Sequence, residues 1–290
     1  MRDQAEKLRM KMLESQGALG RSIAVVSGKG GVGKSNFSTN FAINLAKLGK
    51  KVVVIDMDIG MGNVHIIIGK TARYSLKDYL FGEVSLKEVM YEGPHNLQYI
   101  SGGSGMASII EWSEEMFNGL IDAFEQLQKS FDYILFDMGA GATSWSLDLL
   151  TSIDEIIVIT TAEPTAITDA YSMMKFIHLR DQSKTFYLLC NRAFSKEEGI
   201  ETLSRLENTM MKFLNKQVSI LGSLPEDTSV RKAVREQVPF SIAYPNSPIA
   251  TTLKVMVQQF VDRQMIEVHG QAKTTTFLSK LRSIFSKGRD

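Results

Sequence analysis

Residues 22–49 constrain the fold more tightly than any other stretch. SIAVVS (22–27) is an unbroken apolar run, GKGGVGKS (28–35) is rich in glycine, and SNFSTNFAINLAKLG (35–49) has helical periodicity with a stop at Gly49. An apolar run without alternation reads as a strand buried on both faces. The alternation then repeats. Strands are predicted at 50–58, 96–103, 131–141, 155–166, 185–194 and 218–227, the fourth of them running into a turn. Helices are predicted in short pieces near 76–90, over 114–130, from the turn to about 180, over 197–215, and over 249–265, where Leu253, Met256, Val257, Phe260 and Val261 share a face. Strands alternating with helices predict a three-layer α/β fold, with a mostly parallel central sheet and helices on both faces. Ligands should bind at the carboxyl ends of its strands.

The glycine-rich loop says which ligand. From Gly28 to Ser35 it matches G-x-x-x-x-G-K-[ST], set between an apolar strand and an amphipathic helix as the phosphate-binding mechanism requires. Gly28, Gly30, Gly31 and Gly33 let backbone N–H groups turn inward as an anion nest, continued by Val32 and by Asn36 at the helix start. The helix then points its positive end at the phosphates. Lys34 should contact the β- and γ-phosphates, and Ser35 should ligate Mg²⁺. Asp137 closes FDYILFD, where a metal-bound water would satisfy it, while Asp56 and Asp58 close VVVIDMD. Asp58 is placed in the loop beyond the strand, where it could orient the attacking water. Guanine-binding folds need an Asn-Lys-x-Asp loop, but this chain has Asn191-Arg192-Ala193-Phe194. Adenine, and so ATP, is the better fit.

Composition narrows the class. The chain has 290 residues, 44% hydrophobic and 22% charged, with a net charge of +1, which argues against a nucleic-acid-coated or disordered protein. Cys190 is the one cysteine and sits in the apolar run FYLLC, so it reads as a buried thiol. Neither a disulfide within the chain nor a thiolate cluster is expected. Residues 1–16 are charged throughout, so no secretory leader is expected, and no apolar run of about 18 residues is present to span a bilayer. The cytoplasm is the expected compartment. The basic character sits at the ends: 271–290 carries +4 and 1–22 carries +2, leaving the remainder near −5.

Lys29 adds a second lysine to the loop. GKGGVGKS resembles the deviant Walker A loop of the MinD/ParA group of P-loop ATPases, and the resemblance runs over about residues 22–265. VVVIDMDIGMGN and FDMGAG resemble that group's two switch segments. The resemblance implies a P-loop NTPase fold and Mg²⁺-dependent ATP hydrolysis in an ATP-sandwiched homodimer. Lys34 would serve its own nucleotide and Lys29 its neighbour's, with Mg²⁺ and water roles on Asp58 and Asp137. Adenine-facing positions would be Asn191, Arg192, Pro225, Glu226 and Asp227. Relatives that need paired cysteines or a tyrosine-rich tail are set aside, since only Cys190 is present and the last tyrosine is Tyr244.

The two ends distinguish branches within the group. On a helical wheel Phe277, Leu278, Leu281, Ile284 and Phe285 fall within an arc of about 120°. Lys280 and Arg282 flank it, where their stems can snorkel to headgroups. The nine residues FLSKLRSIF span only about 14 Å as a helix. They read as an interfacial segment for anionic membrane lipid, or as a helix packed on its own domain, or as each in a different nucleotide state. At the other end DQAEKLR (3–9) resembles the N-terminal segment of the FlhG family, also called YlxH or FleN, the flagellar branch of the group. By that resemblance Asp3, Gln4, Lys7, Leu8 and Arg9 would stimulate the signal-recognition-type GTPase FlhF. Flagellar switch (C-ring) proteins would be further partners. The organisation expected is an arm over 1–21, an ATPase unit over 22–265 and a linker with an amphipathic helix over 266–290. The protein would regulate flagellum number and placement, cytoplasmic and peripherally membrane-bound in its ATP state, with no nucleic-acid partner. The alternatives are a MinD-type division-site ATPase and a ParA-type DNA-segregation ATPase. His65, where many relatives carry an acid, is assigned no role.

Overall fold

The computed structural model describes residues 19–59, 61–103, 113–141 and 143–268, together with 277, 280 and 281. The chain runs β1 (Arg21–Val26), α1 (Lys34–Lys47), β2 (Val52–Asp56), α2 (Val64–Ile68), α3 (Leu76–Leu80), α4 (Leu86–Val89), β3 (Met90–Glu92), β4 (Gln98–Ile100), α5 (Glu114–Ser130) and β5 (Tyr133–Asp137). It continues through α6 (Ser144–Ser152), β6 (Glu155–Thr160), α7 (Pro164–Arg180), β7 (Thr185–Ala193), α8 (Lys196–Leu214), β8 (Ser219–Pro225), α9 (Thr228–Glu236), α10 (Phe240–Ala243) and α11 (Pro248–Val268). The strands form one sheet in the order β3-β4-β2-β5-β1-β6-β7-β8. Every pairing is parallel except β3 with β4. The α/β class and the parallel sheet read from the apolar runs are therefore those of the structure.

Residue alternation divides the core. Ala24 and Val26 of β1 point to one face, with α5, α6, α7 and α8, while Ile23 and Val25 point to the other, with α1 and α11. The α11 stripe of Leu253, Met256, Val257, Phe260 and Val261 is buried as the periodicity predicts. What the sequence reading passed over is short or polar: α2, α6, α9, α10 and the three-residue antiparallel edge strand β3.

The described residues of the C-terminal segment follow the second of its two expected placements, a helix packed on its own domain. Phe277 is 1% exposed, its ring 5.5 Å from Phe124 of α5 and 5.8 Å from Phe136 of β5, and Leu281 is fully buried. Lys280 lies 3.3 Å from Asp181 at the end of α7. Phe277 and Leu281 meet the protein's own core and Lys280 pairs with a carboxylate at its edge, which is the packed-helix alternative. The reason is apolar burial, worth roughly 1.5–3 kcal/mol for a side chain of this size. Leu278, Arg282, Ile284 and Phe285 lie outside the described residues, as do Asp3, Gln4, Lys7, Leu8 and Arg9. Among the described residues no helix is long and apolar enough to cross a membrane.

Candidate active site

The chain leaves β1 at Val26 and turns into α1 through the glycine loop. Gly31 and Gly33 adopt φ of 81° and 93°, the left-handed region that glycine enters without a Cβ penalty. At Gly33 a Cβ would also lie 2.4 Å from Asn191 Nδ2. α1 starts without a side-chain cap and without an acidic residue in its first turn. Its orphan N–H groups are thus left facing the loop, a ready anion site. Lys34 is 10% exposed, and its Nζ lies 3.4 Å from Asp137 Oδ1. The Ser38 hydroxyl, one turn further along α1, donates to the same oxygen at 2.9 Å. Asp137 is therefore already engaged by two groups of α1, where the sequence reading left it to a metal-bound water alone.

Asp56 and Asp137 are register partners at the ends of β2 and β5. Asp56 is fully buried and accepts backbone N–H from Asp58 (3.1 Å), Asn63 (2.8 Å) and Val64 (3.1 Å). It thereby winds the loop after β2 around one carboxylate. Burial, with Asp137 alongside, still pushes its pKa up to about 7. Asp58 lies past the strand, half-buried, as expected. Burial raises its pKa, Lys34 opposes this, and Asp137 adds to it. Asp58, Asp137 and Lys34 thus share one electrostatic neighbourhood, and Gly139 borders it: a Cβ there would stand 3.6 Å from Asp58 Oδ1. Among the described residues no three His, Cys, Asp or Glu side chains form a metal cage. Mg²⁺ does not need one, because it is held by one or two protein oxygens plus phosphate. Crowded carboxylates beside an uncapped helix start fit a cation brought in with phosphate.

Beside the loop lies a cleft of about 460 Å³ lined by Gly31, Gly33, Asn36, Asn191, Arg192, Pro225, Glu226 and Asp227, so the predicted base-facing positions converge. Their side chains divide the work differently from the sequence reading. Asn191, inside β7, donates its amide to Val32 O at 2.7 Å. Arg192 Nε donates to Glu226 at 2.8 Å across the cleft mouth. Asp227 caps α9 through Ser229 N (2.9 Å) and accepts Ile249 N (3.3 Å), so its carboxylate holds the wall and is not presented to a ligand. Val230 and Phe240 line the cleft from α9 and α10, elements the sequence reading missed. Asp227 preceding the apolar positions of α9 was the available helix-start signal.

Lys29 behaves unlike Lys34. It is 41% exposed and turns sideways to the start of α7, donating to Glu163 Oε2 at 2.9 Å and Thr165 Oγ1 at 3.1 Å. The contact with Lys29 lowers the Glu163 pKa. His65, in α2, lies with Nδ1 3.1 Å from Ser101 Oγ, and burial lowers its pKa.

Residues 18–261 match the family model described as ParA: NUBPL iron-transfer P-loop NTPase. The chain is 34% identical over 260 residues to the antiactivator FleN of Pseudomonas aeruginosa, covering 89% of this chain and 92% of that protein. It is 35% identical over 218 residues to the flagellum site-determining protein YlxH of Helicobacter pylori, covering 74% of this chain and 73% of that one. In fold it resembles the septum site-determining protein MinD of Pyrococcus horikoshii, solved with Mg-ADP, with a TM-score of 0.68 at 24% identity over 88% of this chain and 100% of the other.

Proposed function

The chain belongs to the ParA family of P-loop NTPases, and from that premise we propose that it is a MinD-like ATPase that regulates flagellum number and placement. The likeness to FleN and YlxH over most of the chain carries the flagellar part. It also favours that reading over division-site or DNA-segregation roles. The iron transfer named in the family description has no support in the thiols, since Cys190 is the one cysteine and burial pushes it up to about 11.

In this reading the N–H groups of Gly28–Asn36 and the ammonium of Lys34 hold the phosphates of ATP. Ser35 would give a hydroxyl to Mg²⁺, with Asp58 and Asp137 beside it. Bound Mg²⁺ would neutralise charge on the phosphates. Asp58 orients water, and Asp56 keeps Asp58 in place through the loop it anchors. Asn191, whose amide donates to Val32 O, would meet the adenine edge, with Arg192, Pro225, Glu226 and Asp227 shaping the cleft. Lys29 leaves Glu163 when a second copy arrives and reaches that copy's phosphates, a cation supplied in trans. Phe277 and Leu281 leave the core for anionic lipid in the dimer, where two weak segments bind together. The arm, through Asp3, Gln4, Lys7, Leu8 and Arg9, stimulates FlhF, while flagellar switch proteins bind elsewhere on the chain.

Two measurements test this. A peptide of residues 1–20 should raise GTP hydrolysis by FlhF, and its Gln4→Ala version should not; no stimulation removes the flagellar role of the arm. Lys29→Ala should bind ATP within about twofold of wild type, its lysine being outside its own site, yet form no ATP-dependent dimer by light scattering. Equal dimer populations would overturn the trans-lysine role.

A further inference from the structure

The helix that carries the phosphate loop also carries three polar side chains on one flank, at Asn40, Asn44 and Lys47. Positions four and three apart share a helix face. All three reach one residue, Ser241 of α10. Asn40 Oδ1 accepts Ser241 N at 2.8 Å, Asn44 Nδ2 donates to Ser241 Oγ at 3.1 Å, and Lys47 Nζ donates to Ser241 O at 2.8 Å. Backbone donor, hydroxyl and backbone acceptor of Ser241 are therefore all satisfied from α1. Asn40, Asn44 and Ser241 are buried. Asn40 also donates to Asn36 O at 2.8 Å, which ties the ladder back to a residue lining the cleft.

Simple packing does not call for this. Asparagine is a poor residue inside a helix, and its buried amide is costly unless paired. A helix that only needed to cover the sheet would place leucine or alanine there, as α1 does at Ala42 and Leu45. What the amides secure is register. Phe240, the residue before Ser241, is a wall of the cleft. Asn191, another residue lining the cleft, is fixed to the loop by its amide on Val32 O. The base end of the site is thus bound to the phosphate loop and to the helix that follows it.

We propose that Asn40, Asn44 and Lys47 are positioning residues that hold the base cleft at a set distance from the phosphate loop, so that ATP is gripped at both ends. The inference rests on the nucleotide reading above. Its signature is a split between ligands: a nucleoside triphosphate feels the clamp, and tripolyphosphate, which fills only the loop end, does not.

The test is calorimetric titration of the full chain with Mg²⁺–ATP and with Mg²⁺–tripolyphosphate. Asn44→Leu and Ser241→Ala should each weaken ATP about fivefold, as loss of a hydrogen bond does, and leave tripolyphosphate within about twofold. The double variant should be no weaker than the worse single one, since both remove the same contact. Lys47→Met keeps the stem, lies on the exposed edge, and should weaken ATP about threefold, which guards against misfolding of the buried variants. Parallel losses for both ligands, additive effects in the double variant, or unchanged ATP affinity in all of them would overturn the clamp. Wild-type protein that binds neither ligand would instead overturn the nucleotide reading.

Discussion

At the amino ends of β1 and β6, Arg21 and Glu155 pair with each other, whereas at the carboxyl ends of β2 and β5, Asp56 and Asp137 lie side by side. The first arrangement is closed. Gln264 of α11 donates to Glu155 at 2.6 Å and accepts from the Tyr133 hydroxyl at 3.0 Å, and Asp154 accepts both the Ser22 N–H (3.0 Å) and its hydroxyl (2.7 Å). The second is open. Burial and the Asp137 charge raise the pKa values of Asp56 and Asp58, Lys34 is a cation facing them, and the start of α1 has no cap. Strands of the same sheet thus end in a charge-paired network on one side, with Arg21 Nε left buried without a hydrogen-bond partner among the described residues, and in crowded carboxylates on the other. The crowded end is where a cation and phosphates would complete the structure.

Breaking the closed end should give the largest effect. Glu155→Ala leaves Arg21 without its ion-pair partner and should cost about 3–5 kcal/mol, as removal of one member of a buried pair does. Denaturant unfolding measures it. ATP affinity of the folded fraction should be unchanged; a matching loss of affinity would mean that the two ends are not separable. At the open end the ranking reverses. Lys34→Ala should cost on the order of 100-fold in ATP affinity, by loss of a desolvated charge contact. Its unfolding free energy without ligand should change far less than that of Glu155→Ala. A large loss of ligand-free stability would show the open end to be structural as well.

The two ends also differ in how far the sequence revealed them. The open end was legible because anion binding needs particular residues at fixed spacing: Gly28 to Ser35 after an apolar strand, with acids closing the next strands. The parallel sheet was legible because strands buried on both faces are continuous apolar runs. The closed end was not, because Arg21, Glu155 and Gln264 lie over a hundred residues apart at the extremes, and only the folded register joins them. The side chains of the cleft were half legible. Asn191 and Glu226 were found as positions, but their bonds to Val32 and Arg192 depend on the close approach of strand ends. The fate of Phe277 and Leu281 was open in principle, since an apolar helical stripe fits a membrane and a groove equally well.

Protonation sharpens the contrast. Asp56 titrates at about 7 in the folded chain against 3.8 as a free side chain. Between those values the native state keeps a proton that the unfolded chain has lost, so the Asp56 contribution to ligand-free stability falls as pH rises from about 4 to about 7, while His65 and His178, lowered by burial, oppose it near the top of that range. Asp181, lowered to about 2, acts only below that window, where its contribution is lost as pH falls from 3.8 through about 2. Thermal unfolding across the window should show the slope. Asp137→Asn should shift its midpoint downward by removing the neighbouring charge, although burial keeps it above 3.8. A slope insensitive to Asp137→Asn would leave burial as the whole cause.

The smallest effect should come from the partly exposed fringe of the closed end. Lys280 and Lys184 share one carboxylate, with Nζ atoms 3.3 Å and 3.6 Å from Asp181 Oδ2. Lys184 is buried and also donates to Ile153 O at 2.5 Å, so Asp181 keeps a cation if Lys280 is removed. Lys280→Ala should therefore change stability by under about 0.5 kcal/mol, in the range of exposed pairs, while Leu281→Ala in the same segment should cost about 2–3 kcal/mol by emptying a core position. Burial lowers the Lys184 pKa to about 8, and the Lys280 charge adds to that. Lys280→Ala should then move the Lys184 titration upward, read from its side-chain resonance. A loss of stability as large as that of Leu281→Ala would place Lys280 with Arg21 and Glu155 as part of the closed network, and would make charge, not apolar burial, the main hold on the C-terminal segment.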